Sequence, residues 1–209
     1  NQDEPYNLTC PDGNGLDYDE EGYDPTFRSV TGCVATAVAQ VMYYHQWPKQ
    51  TTAIPAYSLS IYNNDVTLKE LPATTLEWSK MKLTYDRNET GASADAVAKL
   101  MRYVGQAFQM GYSPSSSGAN ILTDAMINCF NYSKKIHEIY RDEYSTEQWE
   151  NMVYDELSQN RPIPYSGYSN GGGHQFVCDG YQRSTGFFHL NWGWGGNLDG
   201  FFILSIADP

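Results

Sequence analysis

The chain has 209 residues, 41% hydrophobic and 14% aromatic, which is enough for a sizeable core in one large domain or two small lobes and inconsistent with disorder. Thirteen basic residues against 25 acidic ones give a net charge of −12, disfavouring nucleic acid or an anionic membrane surface as partner. No apolar run approaches the roughly 18 residues of a membrane span, so none is predicted.

Residues 1–32 read as irregular coil. The chain starts at Asn1, without a basic and apolar leader, and is read as a processed form or a fragment. DGNGLDYDEEGYD (12–24) is acidic and glycine-rich but fails the EF-hand pattern. Leu16 stands where a ligand is needed, Asp17 where the turn glycine belongs, and Tyr23 where the bidentate Glu belongs. A solvated acidic loop is expected instead. Cys33–Gln46 is apolar nearly all round and stops before Pro48, the pattern of a central buried helix. Loops and short strands are expected from Thr51 to Arg87. A second helix is predicted over Ser93–Met110 with Ser93 as N-cap, then a loop GYSPSSSGAN and a third helix, Ile121–Phe130. Ser145 and Gln148 form a capping box ahead of a fourth helix, Gln148–Leu157.

After that helix the pattern changes. PIPYSGY, HQFVCDGYQ, FFHLNWG and GFFILSI are short aromatic and β-branched runs that read as antiparallel strands. The prediction is an α+β protein, a single domain over 1–209, with a helical lobe over roughly 25–160. A β lobe is expected over roughly 161–209, joined by the N-terminal segment.

Cysteines at 10, 33, 129 and 178 show neither CxxC nor zinc-like Cys/His spacing, so no metal and no cofactor are predicted, and at most one disulfide if Cys33 stays free. Cys33 opens a helix, where the dipole favours a thiolate. Such a nucleophile needs a base, a group to orient it, and oxyanion donors. His45 is twelve residues along the same helix, roughly 18 Å away, and is excluded. His137 sits among charges and reads as surface, and His189 reads as a satisfied histidine within a strand. His174 follows Gly171, Gly172 and Gly173 at the start of a strand, where glycines allow close approach. Asn191 follows in LNWGWGG, whose tryptophans and glycines fit either a tight aromatic bend or a shaped site.

TGCVATAVAQVMYYHQWP, GGGHQFVCDGYQ and HLNWGWGGNLDGFF, with NQDEPYN upstream, resemble the ordered motif blocks of the streptopain family of secreted bacterial cysteine peptidases. The resemblance spans nearly the whole chain. It implies a papain-like fold and an endopeptidase acting through a Cys–His pair and an acyl-enzyme. It implies polypeptide substrates, secretion or cell-surface display, a precursor held latent by its own propeptide, and a candidate virulence factor. It makes Cys33 the nucleophile and His174 the general base and acid. Gln2 would supply an oxyanion-hole amide beside the Cys33 N–H, and Asn191 or Trp192 would orient the imidazole. Trp194 would shape the cleft, Gly173 and Gln175 would line the substrate site, and the loop Tyr112–Asn120, with Ser117, would form the opposite wall. Two departures stand out: Gln175 replaces a small residue of the family's type member, and the chain ends at Pro209, short of the family's glycine-rich tail. Alternatives are another thiol chemistry on the same fold, an amidase or acyl transferase, and a non-catalytic binding module.

Overall fold

The computed structural model describes residues 2–169 and 171–204, so part of the expected strand GFFILSI lies outside the described residues. The chain forms two compact units, one through Ile136 and the other from His137 onward.

The first unit is built on α1 (Cys33–His45). Its apolar circumference is buried as expected, with Val34, Ala35, Ala37, Val38, Ala39 and Met42 all at 2% exposure or less. It packs against α2 (Ala92–Ala107) in one hydrophobic cluster with α3 (Thr123–Phe130). Helix α2 begins earlier than predicted, because Gly91 rather than Ser93 takes the N-cap position at φ 88°. It also ends sooner, where Gln109 adopts φ 52° and the Met110 N–H turns back to the Gly105 carbonyl. The stretch after α1 contains one regular hairpin, β1 (Tyr57–Ile61) with β2 (Asn64–Leu68).

The acidic N-terminal stretch is not the solvated loop its composition suggests. It folds around the fully buried carboxylate of Asp12. One oxygen accepts the N–H groups of Asn14 and Leu16, and the other accepts that of Asp24, all at 2.9–3.0 Å. A buried carboxylate with several N–H donors is satisfied without a metal. Asp17 pairs at 2.8 Å with Arg102 of α2, whose side chain is 2% exposed. Thr9 also donates to the Ala98 carbonyl, so the N-terminal segment belongs with the helices and not with the sheet.

The second unit is a four-stranded antiparallel sheet in the order β3 (Ile163–Ser169), β4 (Gly172–Gln182), β5 (Phe187–Asn191), β6 (Gly200–Phe202). Helix α4 (Thr146–Ser158) starts at the expected Ser145–Gln148 capping box. Sequence grouped this helix with the helical lobe, but its apolar stripe, Trp149 and Val153, packs on Phe176, Cys178, Phe188 and Leu190 of the sheet. The Trp149 indole N–H also donates to the Tyr165 hydroxyl at 2.6 Å. The division therefore falls at 136/137 and not near 160.

Arg102→Met should cost about 3–5 kcal/mol in denaturant unfolding, because it leaves the Asp17 carboxylate without its partner. Adding Asp17→Asn should return part of that loss, which a double-mutant cycle measures.

Candidate active site

In the first unit the chain enters α1 through Gly32 at φ 86°, with no side chain capping the helix. A β-carbon at Gly32 would lie 2.7 Å from the Met110 sulfur and 2.9 Å from the Ser117 carbonyl oxygen, so only glycine fits. Thr36 fixes this turn, with its hydroxyl and N–H donating to the Gly32 carbonyl at 2.9 and 3.1 Å. Cys33, half-buried, is thus presented at the positive end of a buried helix. The Thr31 N–H donates to the Gln2 carbonyl at 3.1 Å, placing Gln2 beside the approach to Cys33. On another side lies the loop from Gly111 to Gly118, whose ends exchange two backbone bonds of 2.8 and 3.2 Å. The Ser117 hydroxyl donates to the Ser113 carbonyl and accepts the Ser113 N–H, so its side chain closes the loop.

In the second unit His174 is the third residue of β4, paired across the sheet with Gly167. Its Nε2 lies 2.8 Å from the Trp192 carbonyl oxygen. A carbonyl only accepts, so Nε2 carries the hydrogen and Nδ1 is the basic nitrogen of the neutral ring. The backbone at Trp192 is itself pinned: its N–H donates to the Asp199 carboxylate at 2.8 Å and its indole N–H to the Leu198 carbonyl at 3.1 Å. The Trp194 ring stacks on His174 at 4.9 Å between centroids. The Asn191 side-chain oxygen accepts the Gly193 N–H at 3.0 Å and shapes the bend that carries both tryptophans. Sequence left Asn191 and Trp192 open as the orienting group; the contact found at Nε2 is the main-chain oxygen of Trp192. Gly173 lies under the Tyr168 ring, where a β-carbon would come within 2.8 Å. Gln175 is buried, its side-chain oxygen accepting the Ser166 hydroxyl at 2.5 Å, while its Nε2 has no hydrogen-bond partner among the described residues.

Sequence reasoning missed Asp199, whose signal was the turn sequence NLDG between two strands. His189, read as a satisfied histidine within a strand, does lie in β5 and meets Asp179 at 2.6 Å, but it is only half-buried, beside the bulge at Cys178/Gly180. His137 is exposed, as expected. A surface hollow of about 540 Å³ lined by Lys82, Asp86, Arg87, Asn88, Glu89 and Thr90 contains neither thiol nor imidazole. Among the described residues no cluster of His, Cys, Asp and Glu is arranged to hold a metal, and no helix is long and apolar enough to cross a membrane.

All four cysteines are unbridged. Burial pushes the Cys10 and Cys178 thiols up to about 12, and raises Cys129 as well. At pH 8 a thiol with a pKa near 12 is ionised in only about one molecule in 10⁴. Iodoacetamide at that pH should therefore label Cys33 alone in the folded protein and all four cysteines after denaturation, read by intact mass. The same burial sets a pH dependence of folding. The folded state keeps protons on Cys10 and Cys178 that the unfolded chain releases above about pH 8.5. Stability should thus fall as pH rises from there towards 12, by up to about 1.4 kcal/mol per pH unit for each thiol.

Comparison with known proteins matches residues 1–202 to the Peptidase C10 family. Streptopain of Streptococcus pyogenes is 37% identical over all of this chain and 54% of its own length, so the chain spans about half of that relative. The thiol protease/hemagglutinin PrtT of Porphyromonas gingivalis is 33% identical over 87% of this chain and 21% of its own. Among solved structures, active interpain A cysteine protease of Prevotella intermedia superposes with a TM-score of 0.79 at 32% identity, covering 97% of this chain and 82% of that one. A fragment of its proform, prointerpain A, gives the same TM-score at 33% identity, covering 100% of this chain and 64% of that one.

Proposed function

The chain belongs to the Peptidase C10 family, and we propose that it is a cysteine endopeptidase in which Cys33 is the nucleophile and His174 the general base and acid. The observation that carries this reading is the bond from His174 Nε2 to the Trp192 carbonyl. It fixes the tautomer and plane of an imidazole whose other nitrogen is left basic. The position of Cys33 at the uncapped start of α1 supports the complementary half, since a helix N-terminus favours an anionic sulfur.

The sulfur attacks the carbonyl carbon of a peptide bond, and the carbonyl oxygen becomes an oxyanion. The Gln2 side-chain amide and the Cys33 N–H stabilise that charge, at about 2.7–4 kcal/mol per donor. The imidazolium gives its proton to the departing amine as the C–N bond breaks, leaving a thioester. His174 then takes a proton from water, the resulting hydroxide attacks the thioester carbon, and Cys33 leaves as thiolate. Trp194, stacked on His174, shields the ring and stabilises its cationic form. Gly173 and Gln175 line one side of the substrate site, with Gln175 narrowing and polarising it. The loop carrying Ser117 lines the other.

Substrates are polypeptides, as the family implies. The protein is secreted or displayed on a bacterial cell, is made as a latent precursor inhibited by its own propeptide, and is a candidate virulence factor. The family resemblance supports the first and last of these points. The greater length of the streptopain relatives and the solved proform of interpain A support a precursor.

Under reducing conditions the chain should hydrolyse denatured casein, and Cys33→Ala or prior alkylation should abolish cleavage. Gln2→Ala should lower kcat by about 10²–10³-fold with little change in KM, the pattern of a donor that acts in the transition state. Rapid alkylation of Cys33 without any casein cleavage would favour an amidase or acyl transferase instead.

A further inference from the structure

The segment that leads into Cys33 runs beside the N-terminal stretch and touches it at Gln2, Glu4 and Asn7. The Thr31 N–H donates to the Gln2 carbonyl at 3.1 Å. Arg28 donates from Nη1 to the Glu4 carboxylate at 2.7 Å. The buried side-chain amide of Asn7 donates to the Ser29 carbonyl at 3.1 Å.

The two segments are not equally fixed. Ser29 and Thr31 are 0% and 1% exposed. The Ser29 N–H donates to the Pro11 carbonyl at 2.9 Å, and the Val30 N–H to the Ser113 carbonyl at 3.1 Å. Residues 28–31 continue directly into Gly32 and α1, so they form a rigid reference for the Cys33 N–H. Residues 4–9, by contrast, form turns. Between Gln2 and Asn7 the chain folds back, with the Tyr6 N–H on the Asp3 carbonyl at 2.9 Å. Segments of this kind open locally unless side chains tie them down. At Glu4, inside that turn and two residues from Gln2, the tie is Arg28.

A half-exposed ion pair by itself contributes little. Arg28 is not a loose surface arginine, however: its side chain is 10% exposed, against 44% for that of Glu4. Its Nε donates to the Tyr23 hydroxyl at 2.9 Å, and that hydroxyl donates to the carbonyl of buried Cys10 at 3.0 Å. The guanidinium is thus held from behind, and little side-chain freedom is lost when it meets Glu4.

We propose that Arg28 is a positioning residue for catalysis: by holding Glu4 it fixes Gln2 against the entrance to α1, and so sets the spacing of the two oxyanion donors, the Gln2 amide and the Cys33 N–H. This rests on the reading of Cys33 as nucleophile and Gln2 as donor. Donor placement matters steeply, because an oxyanion is stabilised only by groups already at hydrogen-bond distance from the developing charge.

Three variants of the full chain test it. Arg28→Met removes the guanidinium and keeps an unbranched stem. Arg28→Lys keeps a charge for Glu4 but offers one ammonium in place of the fork. Glu4→Ala removes the same contact from its half-exposed side, which keeps the test informative where Arg28→Met lowers the melting temperature. Arg28→Met and Glu4→Ala should each lower kcat on peptide substrates about five- to twentyfold with KM within about twofold, and Arg28→Lys should stay within about threefold of the parent. In a Gln2→Ala background, Arg28→Met should change kcat by less than about twofold, because the group it positions is gone. Alkylation of Cys33 by iodoacetamide, which forms no oxyanion, should stay within about twofold of the parent in all three. Amide exchange at Thr31 should accelerate at least about fivefold in Arg28→Met and Glu4→Ala. Unchanged kcat in both would overturn the proposal. So would an equal fall in kcat with and without Gln2, or a parallel fall in alkylation, since either marks a general loss of structure. If Gln2→Ala leaves kcat unchanged, or the parent alkylates but hydrolyses nothing, the underlying reading of Gln2 or of the peptidase fails. Thr31 exchange then still decides whether Arg28 holds Gln2 in place, and unchanged exchange in both variants would overturn that as well.

Discussion

The first unit depends on the backbone at Gly32. A helix buried on every face has to be entered from the surface if its first residue is to meet a substrate, and the chain does this by turning at φ 86° against Met110 and the Ser117 carbonyl. Three separate segments converge on that turn. The N-terminal segment arrives through the Gln2 carbonyl on Thr31, α2 through Met110 just past its end, and the serine loop through Ser117. The Thr31 and Thr36 hydroxyls meet at 3.1 Å and close the arrangement from within. A side chain at residue 32 would displace Met110 or the loop, so glycine there is a packing requirement as much as a conformational one.

In the second unit His174 Nε2 is met by main chain. Because a carbonyl oxygen neither titrates at ordinary pH nor rotates like a side-chain amide, the orientation of His174 follows the backbone of Trp192. That backbone is set by strand pairing up to Asn191, opposite Val177, and by the Asp199 carboxylate and Leu198 carbonyl beyond it. The stacked Trp194 and the buried ring of Trp192, 4.6 Å from Phe176, make the surroundings aromatic and rigid. Such rigidity suits the base proposed for His174, because proton transfers require near-linear geometry at a fixed nitrogen.

Much of this was legible in the chain. The period of α1, the Ser145–Gln148 capping box and the four β-rich runs follow from local patterning, and each appears close to where pattern places it. What local pattern misses is set by tertiary contact. Helix α4 reads like its predecessors until one sees that Trp149 and Val153 need the sheet face to cover them. The acidic stretch reads as solvated because charge counts do not reveal that Asp12 has backbone donors or that Asp17 has a buried arginine 85 positions away. At the candidate site, residue type and order singled out Cys33, His174 and the tryptophan block. That the main-chain oxygen of Trp192 meets His174 Nε2 has no signature in side-chain identity.

The central proposal is that His174 acts on Cys33 as its ion-pair partner. The direct measurement is the pH dependence of Cys33 alkylation in the parent chain and in His174→Ala. The account predicts a parent rate that stays high down to about pH 6 or below, and a variant whose rate falls with an apparent pKa near the ordinary thiol value of about 8.5. Coincident profiles for the two proteins would contradict it, because the thiol would then be indifferent to the imidazole assigned as its partner.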